Sequence, residues 1–179
     1  MRNIVLMAGL GLALAGCKSE PSVSLTNASP EEVAKQASAA GVVSQIRPGQ
    51  WETRVELVEF DMPGMAPEMK AEAMKKSREA SAHSYCVSEA DAKKPGGLFT
   101  GKDDGKCTYS KFEMSGGKLD MTLSCPGRTG GMTMHVAGTF DAEAVTATSE
   151  METSGAFAMK MKANVHSRRT GACTDKKAG

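Results

Sequence analysis

The chain lacks most of the residues and spacings that announce an activity. It contains no Gly-x-Ser-x-Gly elbow, no His-Glu-x-x-His, no Walker-type loop and no Cys-x-x-Cys. Serine-hydrolase, zinc-peptidase, P-loop and thioredoxin-type chemistry are thereby removed. Its three histidines, His83, His135 and His166, are scattered. His135 and His166 fall on the polar register of their segments and read as solvated surface residues. With no acid, base and nucleophile set to name, an enzyme is the least supported class, and no cofactor is expected. There is no long basic run, and 22 Lys and Arg stand against 21 Asp and Glu. A nucleic-acid binder should show a clustered positive footprint, so that class is excluded too. Nor does any apolar run reach the roughly 20 residues that a transmembrane helix needs.

What the chain does have begins at its start. Met1-Arg2-Asn3 is a positive opening, Ile4 to Ala15 is a short apolar run, and Leu14-Ala15-Gly16-Cys17 closes it. Such a run reads as a removed export signal rather than a membrane span. The closing tetrad has the pattern of a lipoprotein signal, which makes Cys17 the expected acceptor of a diacylglycerol and the first mature residue. Lys18 follows it; an Asp there would be the usual inner-membrane retention signal, so the expected address is the outer membrane, with the domain facing the periplasm. Cleavage removes Arg2 and leaves 21 basic against 21 acidic residues, a formal charge of zero.

Lipidation of Cys17 leaves Cys86, Cys107, Cys125 and Cys173. An even count in an exported chain favours two disulfides. A structural zinc site would need ligand pairs about two to four residues apart, and these cysteines offer none. Four cysteines allow three pairings; the expected one is Cys86–Cys107 with Cys125–Cys173.

Along the chain, residues 17–47 read as a lipid-anchored tether with a short helix. Lys18 to Ser29 is polar spacer, and Ser29-Pro30-Glu31-Glu32 is a helix start running to about Ala40. A β domain is expected over 48–173 and a disordered tail over 174–179. Its first strand, Gln50–Asp61, places Trp51, Val55 and Leu57 on one face. Ala66–Ala82 is rich in helix formers, with Met65, Met69 and Ala73 facing inward. Lys93–Gly105 is loop. Five strands follow, near 106–114, 118–125, 131–140, 145–153 and 156–167, with Ser115-Gly116-Gly117 as a hairpin turn. One-sided alternation with short turns predicts a mainly β fold with minor α content. The expected architecture is a strongly curved antiparallel meander or open barrel, with the 66–82 helix covering a face or an open end and disulfides stapling it.

Methionine is abundant where aromatics are scarce: 13 methionines against one Trp, two Tyr and five Phe. Met62, Met65 and Met69 could offer three thioethers to copper(I), a soft ion. Met132/Met134 and Met159/Met161 form same-face pairs that packing alone explains. A curved sheet with an apolar inner face also suits a small apolar ligand. Two functions therefore stand. One is a non-enzymatic binding or envelope-interaction module, for a small apolar ligand or an envelope protein, held to the membrane by its lipid. The alternative is methionine-based copper(I) binding.

Landmarks follow one another along 48–173: Pro48-Gly49-Gln50-Trp51-Glu52, Met62-Pro63-Gly64-Met65, Tyr85-Cys86 and Cys107-Thr108-Tyr109. Ser115-Gly116-Gly117-Lys118, Cys125, Gly138-Thr139-Phe140, Met159-Lys160-Met161 and Arg168 to Cys173 complete them. In this order the chain resembles the proteobacterial domain-of-unknown-function family numbered 3617. The resemblance implies an exported four-cysteine domain and transfers no catalytic residue.

Overall fold

A computed structural model describes residues 20–42, 46–79, 82–92, 107–127, 130–156 and 158–173. Cys17, the loop expected over 93–105 and the tail expected over 174–179 lie outside the described residues. The elements in chain order are β1 (Ser22–Leu25), α1 (Pro30–Ala39), β2 (Gly49–Asp61), α2 (Pro67–Glu79), β3 (His83–Val87), α3 (Glu89–Ala92), β4 (Thr108–Ser115), β5 (Lys118–Gly127), β6 (Gly130–Phe140), β7 (Ala144–Thr153) and β8 (Met159–Gly171).

The strands form one antiparallel sheet in the order β1-β4-β5-β6-β7-β8-β2-β3, an unclosed meander to which β2 adds after β8. Local chemistry sets its turns. Gly116 and Gly117 both take positive φ (56° and 68°), the backbone a two-residue hairpin requires. Asp141 Oδ1 accepts from the backbone N–H groups of Glu143 and Ala144 at 2.7 and 2.8 Å, closing the β6–β7 connection. On β6, a Cβ at Gly138 would overlap Thr146 O and crowd Ala147, so only glycine permits the close β6–β7 approach of a curved sheet.

The cross-strand register sorts the side chains into two faces. One inner row reads Val23, Met114, Leu119, Gly138, Ala147, Val165, Val55. The next reads Leu25, Phe112, Met121, Val136, Ser149, Ala163, Leu57. The intervening outer row is Ser24, Glu113, Asp120, Ala137, Thr148, Asn164, Glu56. Period-two alternation thus becomes one apolar and one polar face.

Part of the expected tether belongs to the domain. β1 pairs with β4, and Ala28 exchanges backbone hydrogen bonds with Tyr109 at 3.0 and 2.8 Å. α1 starts as predicted, with Ser29 Oγ accepting from Glu32 N–H at 3.1 Å and Pro30 in its first turn. Its Val33 and Ala37, one turn apart, are fully buried in the main core with Tyr109 and Phe112. The polar composition of 18–29 masked a four-residue edge strand whose Val23 and Leu25 alternate with serines.

The helix over the inner face is therefore α1. α2, expected in that role, packs along β2. Ser77 Oγ accepts from Leu57 N–H (3.3 Å) and Lys70 pairs with Asp61 (3.1 Å), on the part of β2 that extends beyond its five-residue pairing with β3. Covering an exposed strand edge limits pairing with other chains. Met69, expected inward, is 61% exposed; Lys70, Ala73, Met74 and Ser77 are half-buried.

The disulfides are Cys86–Cys173 and Cys107–Cys125, a correction to the expected pairing. β4 and β5 leave their turn with Ser115 opposite Lys118, and an irregularity between Tyr109 and Lys111 shifts the register by one residue. Thr108 thereby pairs with Ser124, which sets Cys107 against Cys125 at a Cα separation of 4.1 Å. Gln50 pairs with Cys86 on one side and Gly171 on the other, so the chain leaving β8 reaches β3 across the start of β2.

Candidate functional site

The inner face is not uniformly filled. Under α1, Phe112, Met114, Leu119, Met121 and Leu123 are all at least nine-tenths buried. Toward β8 and β2 the same face opens, and Val55 is 49% exposed. A cavity of about 230 Å³ lies there, walled by Val55, Met134, Val136, Val145, Ala147 and Val165, with Trp51 and four hydroxyl residues completing it. Such a space holds roughly seven or eight groups of water or methylene size, at about 30 Å³ each.

Trp51 anchors this wall. It is fully buried, and its indole N–H donates to Arg47 O at 3.1 Å. Arg47 is itself tied to the β6–β7 turn, by its N–H to Ala142 O and its guanidinium to Glu143 at 2.7 Å.

Three hydroxyls meet at one end of the cavity. Thr53 Oγ1 and Ser167 Oγ are 2.6 Å apart, and Tyr85 OH lies 3.4 Å from each. β2 supplies Thr53, β8 supplies Ser167 at the paired position, and β3 brings Tyr85, opposite Trp51. Ser149, on β7, is the fourth hydroxyl of the lining. A buried hydroxyl is costly unless hydrogen-bonded, and mutual bonding meets that need while leaving the group able to donate to or accept from a ligand. Among the described residues the cavity lining holds no Asp, Glu, His, Lys, Arg or Cys.

The charged residues gather on the opposite face. Lys111 donates to Asp120 (2.7 Å), and His135 Nε2 lies 3.1 Å from the other Asp120 oxygen. The Lys111 hydrogen bond is the main reason Asp120 sits below the ordinary carboxylate range, with His135 adding to it against the cost of burial. Lys111 is correspondingly raised, by Asp120 first and Glu113 next. Lys162 lowers Glu150 and is raised by it; Glu152 raises Lys160. These are cross-strand pairs that hold the outer face in register. His135 and His166 are not partners: one pairs across to Glu150, the other to Thr146.

Of the residues singled out in the sequence, the four cysteines are joined in pairs and Cys17 is outside the described part. Met62 and Met65 share a turn closed by Met65 N–H to Met62 O at 3.1 Å, while Met69 lies out on α2. Among the described residues no three His, Cys, Asp or Glu side chains are grouped to hold a metal, and no helix is long and apolar enough to cross a membrane. The hydroxyl group was not anticipated. Its signal lay in the alternation: Thr53 falls between Trp51 and Val55, and Ser167 follows Val165, at inward positions where an apolar residue would be usual.

No curated protein and no solved structure matches the chain. A family model does, over residues 46–173, from β2 through both disulfides. The chain belongs to the family described as protein of unknown function (DUF3617).

Proposed function

We propose that this protein is a non-enzymatic binding module that takes a small apolar ligand into the cavity on its inner face. The observation that carries the reading is the cavity itself: about 230 Å³, apolar walls, and hydroxyls converging at one end. Pockets of this kind gain affinity from apolar surface and orientation from a few polar groups. The proposal includes the compartment: an exported lipoprotein, anchored through a diacylglycerol on Cys17 and facing the periplasm, in the outer membrane. Two disulfides support it, since such bonds persist where the surroundings are oxidising.

The chain provides its own reporter. Trp51 is the sole tryptophan and lines the cavity. Titration of the purified protein with a small apolar compound should change Trp51 emission saturably, and Val165→Phe, which adds bulk to the wall without a second indole, should abolish the response. An unsaturable signal, or one indifferent to that substitution, would remove the cavity as the site. For the anchor, membrane fractionation should find wild type bound and Cys17→Ala released or unprocessed; a processed, membrane-bound Cys17→Ala protein would refute lipidation.

A further inference from the structure

The cavity does not end the apolar track. Along β8 the inward positions run Ser167, Val165, Ala163, Met161. Met161 pairs with Met151 and Met151 with Met134, so three thioether side chains lie abreast on neighbouring strands, and Phe60 flanks them on β2. All three methionines are only partly buried. Between this ladder and the valines stand the small residues Ala163 and Ser149, directly paired. Ser149, half-buried and part of the cavity lining, makes a low point between the valine wall and the ladder, while Ala163 beside it is buried. Six residues of strand separate the Ser167 hydroxyl from Met161, about 20 Å at roughly 3.3 Å per residue. A bilayer's hydrocarbon core is about 30 Å across and two chains deep, so one acyl chain spans about 15 Å.

The geometry points to a single-chain amphiphile of acyl-chain length as the ligand, its polar head at Thr53, Tyr85 and Ser167 and its tail past Ser149 onto the Met134–Met151–Met161 ladder. This inference rests on the binding reading above and specifies its ligand. Two features select a chain over a compact molecule. Three hydroxyls gather at one end, with Ser149 alone midway, and the far end of the track is methionine. Thioether side chains are unbranched and flexible, so they rearrange around a mobile tail where valine or leucine would fix one shape.

The test is a chain-length series. Straight-chain carboxylic acids from about six to about sixteen carbons, kept below micelle-forming concentration, are titrated against Trp51 emission, and each added methylene should tighten binding about fourfold until the tail fills the track. Ser149→Phe, at a half-buried position of the lining on the way to the ladder, should cancel the affinity that the longer acids gain. Met151→Gln with Met161→Gln, at partly exposed positions that leave the core intact, should flatten the series in the same way. Saturable binding of short acids with no dependence on length would overturn the acyl-chain inference while leaving the cavity as a binding site. If no acid binds, but a compact apolar compound does, the amphiphile is likewise excluded. Failure of every probe on folded, disulfide-intact protein would overturn both readings.

Discussion

The two halves of the sheet use the same alphabet and reach different ends. In the half formed by β1, β4 and β5, inward residues such as Phe112 and Leu123 are sealed beneath α1, with Tyr109 and Phe112 packed edge to face at 5.4 Å. In the half formed by β2, β3, β6, β7 and β8, inward residues of similar type surround a cavity, and Val55 stays half exposed. The strands alternate equally well in both. Alternation therefore states which face is apolar, while a covering element decides whether that face becomes core or site.

The largest expected effect separates the two disulfides. Cys86–Cys173 closes 87 residues and holds β3 in the open half, while Cys107–Cys125 closes only 18 within the covered half. By loop-closure entropy, Cys86→Ser with Cys173→Ser should cost about 4–5 kcal/mol and Cys107→Ser with Cys125→Ser about 3 kcal/mol. Urea denaturation of the two double variants measures this. Equal losses would mean that loop length does not set the contribution of these bonds.

A pair of core truncations probes the contrast directly. Phe112→Ala, beneath α1, should lose about 3–5 kcal/mol through the cavity it leaves. Met151→Ala, on the open ladder, should lose under about 1 kcal/mol, as partly exposed positions usually do. If Met151→Ala proves as costly as Phe112→Ala, the open half is packed core and offers no track for a ligand.

The smallest effect belongs to the polar face. Asp120 is held below its ordinary carboxylate pKa of 3.8 by Lys111 and His135. A depressed folded-state pKa adds stability that is complete above the unfolded value and disappears as pH falls through the lower folded one. Asp120→Asn should therefore cost under about 1 kcal/mol at neutral pH, because the pair is partly exposed and screened. The gap from wild type should close below pH 3.8. A constant gap across that range would assign the loss to packing instead of charge.

Much of this architecture could be read in the sequence. The alternation in Leu119-x-Met121-x-Leu123 and Met132-x-Met134-x-Val136 placed five consecutive strands, and Ser29-Pro30 placed the start of α1. The Cys107–Cys125 bond was nearly legible, since the two cysteines lie almost symmetrically about Gly116-Gly117. It was missed because a one-residue irregularity near Ser110 completes the alignment, and irregularities leave little trace in composition. β1 was missed because four residues are too few to establish a period. The meeting of Thr53, Tyr85 and Ser167 was beyond reach, since it depends on β2 lying between β8 and β3.

The sequence by itself determined the spacing of the four domain cysteines, the turns and the inward register of the five consecutive strands after residue 106. These depend on neighbouring residues, where steric and periodic rules act directly. Tertiary structure alone decided that β2 joins β8, that α1 rather than α2 roofs the face, which cysteines pair, and where the roof stops. Those outcomes depend on contacts between residues up to 121 positions apart, such as Arg169 donating to Pro48 O. The gap they leave over β2, β7 and β8 turns an apolar face into a candidate binding site.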